Sequence, residues 1–359
     1  MTYFTPPPYL DYFMDKYFHA ECDLASSGRA ERSWEELRPF VEGRKLFDNK
    51  LKSSDRHFTE VFKARYPLDD SFDLMCVPST TSANFVAMNA LVPPRGKIAI
   101  ENPVYDPIPY VAMACDREVL SFQRDPDRDF RPCLASLDEA LSKGAKLAVL
   151  SNLHNPSGAS LCPEDLIAIG ALLEKHDALC LVDEVYLEFL PDWRERTALR
   201  YGKRFIVSAS LTKVYGLSEL ACGWLAGPVE HIYKCRRYFS LFSYHNSSPG
   251  IEMACILSEN FERFFESDRL LIESNRRKLK QWLELNSIHA FMYKDSPIVL
   301  VKLPGTDDDR AFCEAAFKNH KLFLTPSSFF GINGWIRIGL FKSPELFEKG
   351  LSLLKAAIG

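Results

Sequence analysis

The middle of the chain alternates short apolar runs with longer stretches of helical spacing. The runs fall at 97–101, 118–122, 146–151, 178–183, 205–208 and 222–226. Between them lie amphipathic segments such as 163–176, where Leu166, Ile169, Gly170 and Leu173 recur at helical spacing. Runs this short and rich in β-branched residues read as strands. Strands separated by helices predict an α/β fold with a mostly parallel sheet and helices on both faces. A helix is also predicted over 9–18, after Pro6-Pro7-Pro8, which reads as an extended arm that cannot be helical. Beyond Pro249 the pattern changes. One long helical stretch, 251–285, leads to strands near 297–303 and 335–340 and a last helix over 344–357. This tail reads as a small α+β domain that includes the N-terminal segment. The expected division is 1–40 as arm and part of the small domain, 41–250 as the large domain, and 251–359 as linking helix and small domain.

Composition narrows the class. Of 359 residues, 47% are hydrophobic and 26% charged, as in a folded globular chain. The net charge of −4 leaves no basic footprint for nucleic acid or an anionic membrane. No apolar run reaches the roughly 18–20 residues that span a bilayer, and the first fifteen residues lack the pattern of a signal peptide. The ten cysteines contain no Cys-x-x-Cys pair. They argue against a zinc or disulfide framework and suit a reducing cytoplasm, so a cytoplasmic protein without a metal site is expected.

Polar features cluster just after the apolar runs, at the edge of an open α/β sheet where ligands bind. Ser79-Thr80-Thr81-Ser82 precedes a helical pattern at 85–91. It reads either as an ordinary helix cap or as hydroxyl and N–H donors for a phosphate. Asn155-Pro156-Ser157-Gly158 forms a turn after one strand, and Asp183 and Tyr186 follow another. Lys213 lies in Ser210-Leu211-Thr212-Lys213, and Arg337 stands inside the apolar pattern 335–339, where it must find an anion or snorkel. Each feature alone is ordinary. Their order and spacing are not: Asn155 to Asp183 is 28 residues, Asp183 to Lys213 is 30, and Arg337 lies 124 further on.

On these strings, with Glu101-Asn102-Pro103-Val104-Tyr105 and His154-Asn155-Pro156-Ser157-Gly158, the chain resembles the class I/II aminotransferases. These are fold type I enzymes that use pyridoxal 5′-phosphate (PLP). The resemblance runs from about Asp23 to the C-terminus. It implies a seven-stranded, mostly parallel sheet in the large domain, and a homodimer with active sites at the subunit interface. It implies that Lys213 carries PLP as a Schiff base and moves a proton, and that Asp183 pairs with the ring nitrogen. Tyr186 and Asn155 bond the ring oxygen, Tyr105 stacks on the ring, and Thr80, Thr81 and Ser210 hold the phosphate. Arg337, with Asn155, binds the substrate α-carboxylate. The implied function is PLP-dependent transformation of a free α-amino acid, foremost transamination with a 2-oxo acid.

The N-terminal strings Tyr17-Phe18-His19-Ala20, Asp23 to Gly28 and Ser33 to Leu37 are similar to those of capreomycidine synthase-like members. That resemblance makes elimination and cyclisation the alternative chemistry, and Ser27 and Gly28 substrate contacts. Two departures weaken phosphate binding. Ala221 stands eight residues after Lys213, where the family carries an arginine, and Phe47 stands where many members have a tyrosine. Arg236, Arg237, Lys203 and Arg204 are the nearby cations, and a degenerate PLP-binding protein is the non-enzymatic reading. The aromatic residues of the arm, Tyr3, Phe4, Tyr9, Tyr12 and Phe13, are expected to pack on a second subunit rather than on their own domain.

Overall fold

The structure, a computed structural model, describes residues 5–44, 54–243 and 245–359; Tyr3, Phe4 and Phe47 lie outside them. Its strands are β1 (Cys22–Asp23), β2 (Phe72–Val77), β3 (Lys97–Asn102), β4 (Glu118–Asp125), β5 (Arg131–Pro132), β6 (Ala145–Ser151) and β7 (Leu179–Asp183). They continue with β8 (Phe205–Ser210), β9 (Gly223–Pro228), β10 (Ala290–Phe291), β11 (Ile298–Lys302), β12 (Leu322–Phe323), β13 (Thr325–Pro326) and β14 (Trp335–Gly339).

The large sheet has the order β2-β9-β8-β7-β6-β3-β4-β5. Seven strands are long and mainly parallel. The expected count omits an eighth, β5, whose two residues pair antiparallel with the end of β4. Pro132 can sit there because an edge strand loses no ladder bond to it. The apolar runs alternate between the two faces. Val149, Leu181, Ile206 and Leu225 pack on one side, and Leu150, Val182 and Val207 on the other. Burial on both faces explains why these strands read as continuous apolar runs. β3, β6, β7 and β8 run parallel, so Asn102, Ser151, Asp183 and Ser210 end at one edge. β2 pairs antiparallel with β9, which pairs antiparallel with β8, so the turn after Val77 reaches the same edge.

The C-terminal part forms a four-stranded antiparallel sheet, β10-β11-β14-β13, with the helices Asp309–His320 and Pro344–Ile358. β1 pairs with β12, which ties the N-terminal segment to it. Three expectations are corrected. The long helix is broken into Ser248–Ser258 and Phe261–Leu285 at Asn260, which bonds backbone groups of both turns and is a weak interior helix residue. The arm also packs on its own chain: in the helix Pro8–Tyr17, the Tyr12 hydroxyl donates to the Leu324 carbonyl at 3.0 Å and Phe13 lies 5.4 Å from Phe323. Pro8 is itself helical, at the first position, where its missing N–H costs nothing. No helix among the described residues is long and apolar enough to cross a membrane.

Candidate active site

A cavity opens at the C-terminal edge of the large sheet. Ser79, Thr80, Thr81, Tyr105, Asn155, Asp183, Tyr186 and Lys213 all line it. These residues come from five separate stretches of chain, which the parallel strands bring to one edge.

Asp183 ends β7 at the floor. Its carboxylate accepts from the Val185 N–H at 3.2 Å and from the Asn84 side-chain amide at 3.3 Å. Asn84 is fixed in turn by the Ser208 hydroxyl, 2.7 Å from its oxygen. Burial lifts the Asp183 carboxyl to about 6, against the lowering pull of those two donors and of Lys213. The motif reading missed Asn84. Its signal was a polar residue on the buried face of the helix Thr80–Leu91, beside Ala83 and Ala87.

Lys213 lies in the loop after β8. Burial pulls its amine down to about 8, the Arg337 charge adds to this, and Asp183 opposes it. The loop is clamped from the other side by Gly28, where a Cβ would sit 3.0 Å from the Lys213 carbonyl oxygen and 3.2 Å from its Cα. The Arg29 N–H donates to that carbonyl at 2.7 Å.

The hydroxyl-rich end is built on a helix start. Ser79 caps the helix Thr80–Leu91 by accepting from the Ser82 N–H. Thr80 donates to Ser210 at 2.7 Å, and Ser210 lies 2.8 Å from the Thr212 hydroxyl. First-turn N–H groups and hydroxyls suit an anion, with the helix dipole behind them. Thr81 is more exposed, at the mouth. Among the described lining residues Lys213 is the one lysine or arginine. Arg236 bonds Asp73 and the Leu74 carbonyl beside a different cavity, which Arg237 also lines, and Arg204 bonds Glu174 and Asp177. Ala221 is exposed, in left-handed backbone at φ 48°.

Arg337 on β14 is 1% exposed and lies against these residues. Its Nη1 donates to Asn155 Oδ1 at 2.9 Å, and its Nη2 to the Tyr9 hydroxyl at 2.9 Å and the Ala25 carbonyl at 3.1 Å. Tyr186 donates to Ser27 at 2.7 Å, and burial pushes its phenol up to about 12. Ser27 is thus buried against a cavity residue and Gly28 against Lys213; a second cavity, reaching Lys213 from the other side, is lined by both and by Tyr9. The string around Asn155 is largely architectural. His154 Nε2 faces the Pro103 carbonyl at 2.9 Å, so it donates, and in the neutral ring favoured by burial Nδ1 accepts from Ser157 at 2.7 Å. Gly158 has φ +84°, and a Cβ there would lie 2.1 Å from Ser296 Oγ.

Comparison with known proteins identifies the family and the fold. The family model for aminotransferase class I and II matches residues 50–352. Capreomycidine synthase from Streptomyces vinaceus is 25% identical, over 98% of this chain and 93% of that one. Histidinol-phosphate aminotransferase from Methanopyrus kandleri is 27% identical, over 69% of this chain and 62% of the relative. Among solved structures, a PLP-dependent aminotransferase from Streptococcus suis superposes with TM-score 0.88 at 20% identity, covering 100% of this chain and 98% of its own. An aspartate aminotransferase from Thermus thermophilus with maleate gives 0.87 at 18%, covering 99% and 97%. The chain belongs to the class I and II aminotransferases, a family of PLP-dependent enzymes with the type I fold.

Proposed function

We propose that this enzyme transfers the amino group of a free α-amino acid to a 2-oxo acid, with Lys213 as the lysine that binds PLP covalently. The observation that carries the reading is that Lys213 and Asp183 line one cavity, with burial drawing the amine down to about 8 and lifting the acid to about 6. Two groups pushed toward neutrality from opposite sides mark a site built for proton transfer.

The residues fit the cofactor on their own chemistry. Asp183 would hold the proton of the ring nitrogen, Asn155 and Tyr186 would bond the ring oxygen, and Tyr105 would lie against the ring. Thr80 and Thr81 would take the phosphate with the first N–H groups of their helix, and Ser210 at the end of β8 would join them. When bound, PLP supplies the electron sink that lets a substrate α-C–H bond break. Lys213 Nζ, in this cavity wall, would be the base that takes that proton. With burial drawing its pKa down to about 8, Lys213 is neutral near neutral pH far more often than an ordinary lysine. Arg337 and Asn155 orient the substrate by its α-carboxylate. With the Tyr186 proton turned to the ring oxygen, Ser27 would donate to the Tyr186 oxygen in place of accepting from it, and Gly28 lets the N-terminal loop lie against Lys213.

A second reading is cyclisation. It is favoured by the likeness to capreomycidine synthase over nearly the whole chain, and by Ser27 and Gly28 lying within the active-site wall. The same residues serve either reaction, because both begin by loss of the α-proton. Amino acids screened with 2-oxoglutarate separate the two. Transamination forms glutamate one for one with a new 2-oxo acid. A product lighter by one water, formed with no 2-oxo acid consumed, supports cyclisation instead.

We further propose a large domain over 41–250, a small domain from 1–40 and 251–359, and a cytoplasmic homodimer. The last is supported by the exposed apolar side chains Tyr233, Leu241 and Phe242 on one stretch. Sedimentation as an active monomer at micromolar concentration counts against it.

A further inference from the structure

We propose that Tyr9 is a substrate-recognition residue whose hydroxyl, oriented by Arg337, donates a hydrogen bond to the α-carboxylate of the amino acid. This rests on the reading of Arg337 as the carboxylate's partner.

Tyr9 is held from several sides. Its backbone N–H donates to Asp106 Oδ2 at 2.9 Å, and its ring lies 5.1 Å from Phe330 and 5.9 Å from Tyr105. The residue is 4% exposed, yet it lines the second cavity with Ser27, Gly28 and Lys213. An amino acid whose amine is at Lys213 and whose carboxylate is at Arg337 therefore passes beside this hydroxyl.

Hydrogen accounting gives the direction of the bond. Arginine has five N–H donors and no acceptor, so in the 2.9 Å contact Nη2 donates and the Tyr9 oxygen accepts. The hydroxyl's own proton is left over, and the described residues offer it no acceptor. Arg337 is in the same condition. Both Nη2 hydrogens are used, by Tyr9 and the Ala25 carbonyl, and one Nη1 hydrogen by Asn155. The second Nη1 hydrogen remains, and Nε is buried with no partner among the described residues. A buried cluster with three unspent donors lacks an acceptor-only group, and a carboxylate is one.

The alternative is that Tyr9 merely covers Arg337. The two roles predict opposite signs. If Tyr9 is only a cover, Tyr9→Phe frees an Nη2 hydrogen, and a carboxylate binds as well as before or better. If Tyr9 is a donor, the carboxylate loses a charge-assisted bond.

Two probes isolate this effect without knowledge of the natural substrate. Aminooxyacetate and methoxyamine attack PLP through the same aminooxy group, and only the first has a carboxylate. The measurement is the ratio of their second-order rate constants with the holoenzyme, followed by cofactor absorbance. Tyr9→Phe is expected to lower the ratio about tenfold, the weight of one hydrogen bond to a charged group, with methoxyamine unchanged. An unchanged or raised ratio overturns the proposal, as does an equal fall for both probes, which would mean a general disturbance of the site. Arg337→Gln separates the two levels of the argument. If it lowers the ratio and Tyr9→Phe does not, only the role of Tyr9 fails. If Arg337→Gln leaves the ratio unchanged, the reading of the carboxylate site fails and the role of Tyr9 with it.

Discussion

Asp183→Asn should make the cofactor-free protein more stable at neutral pH while removing most of its turnover. Burial raises the Asp183 carboxyl from 3.8 to about 6. The unfolded chain therefore binds fewer protons than the folded one between those values, and stability falls as pH rises through that window. At 1.36 kcal/mol per tenfold change in proton affinity, ionised Asp183 costs about 3 kcal/mol at pH 7.5 and about 1 kcal/mol at pH 4.5. The amide keeps the Val185 bond through its oxygen but loses the 3.3 Å bond from Asn84, a loss of about 1 kcal/mol. The net gain is about 2 kcal/mol at pH 7.5 and about zero near pH 4.5. For a chain of this length the gain at pH 7.5 moves the unfolding midpoint by about 3 °C. Thermal scans of both proteins, stripped of cofactor, across pH 4.5–7.5 make the test. A variant less stable at pH 7.5, or an offset that does not change with pH, refutes the electrostatic account of this carboxyl.

The phosphate end and the N-terminal loop yield further predictions. Ala221→Arg is expected to tighten PLP about tenfold in a titration of the cofactor-free protein, since Lys213 is the one cation among the described lining residues. Weaker binding would reveal a cation already present, supplied from outside those residues. Gly339→Ala brings a Cβ to 2.0 Å from the Ser26 carbonyl oxygen and must displace the loop that holds Tyr186 and Lys213. It should cost about 1–3 kcal/mol in stability and loosen PLP; wild-type values for both would show that the loop has room to move.

Much of the site was legible because several of its residues end an apolar run or follow one closely. Five strands of the large sheet, β3, β6, β7, β8 and β9, are buried along most of their length and read as strands from composition alone. Asp183 ends β7, Ser210 ends β8 and Lys213 follows in the next loop, whereas Thr80 and Thr81 follow β2. β2 was not singled out as a run, because Asp73 interrupts it near its start. The break at Asn260 was also hidden, since both flanking helices carry the same spacing. Tyr9 could not be read as a site residue: its partner Arg337 lies 328 residues away, and local pattern says nothing about such a contact. The aromatic face of its helix was instead assigned to a second subunit. That reading did not see that Tyr9, Tyr12 and Phe13 pack on their own chain, while Met14 and Phe18 of the same segment remain exposed.

The central claim is that Lys213 carries the cofactor. Borohydride reduction of the PLP-loaded protein fixes the pyridoxyl group to whichever lysine holds it, and peptide mapping by mass then identifies that residue. The account predicts one modified peptide, containing Lys213, and none in Lys213→Ala purified from the same preparation. A pyridoxyl group found on another lysine, or full labelling of the alanine variant, would contradict it.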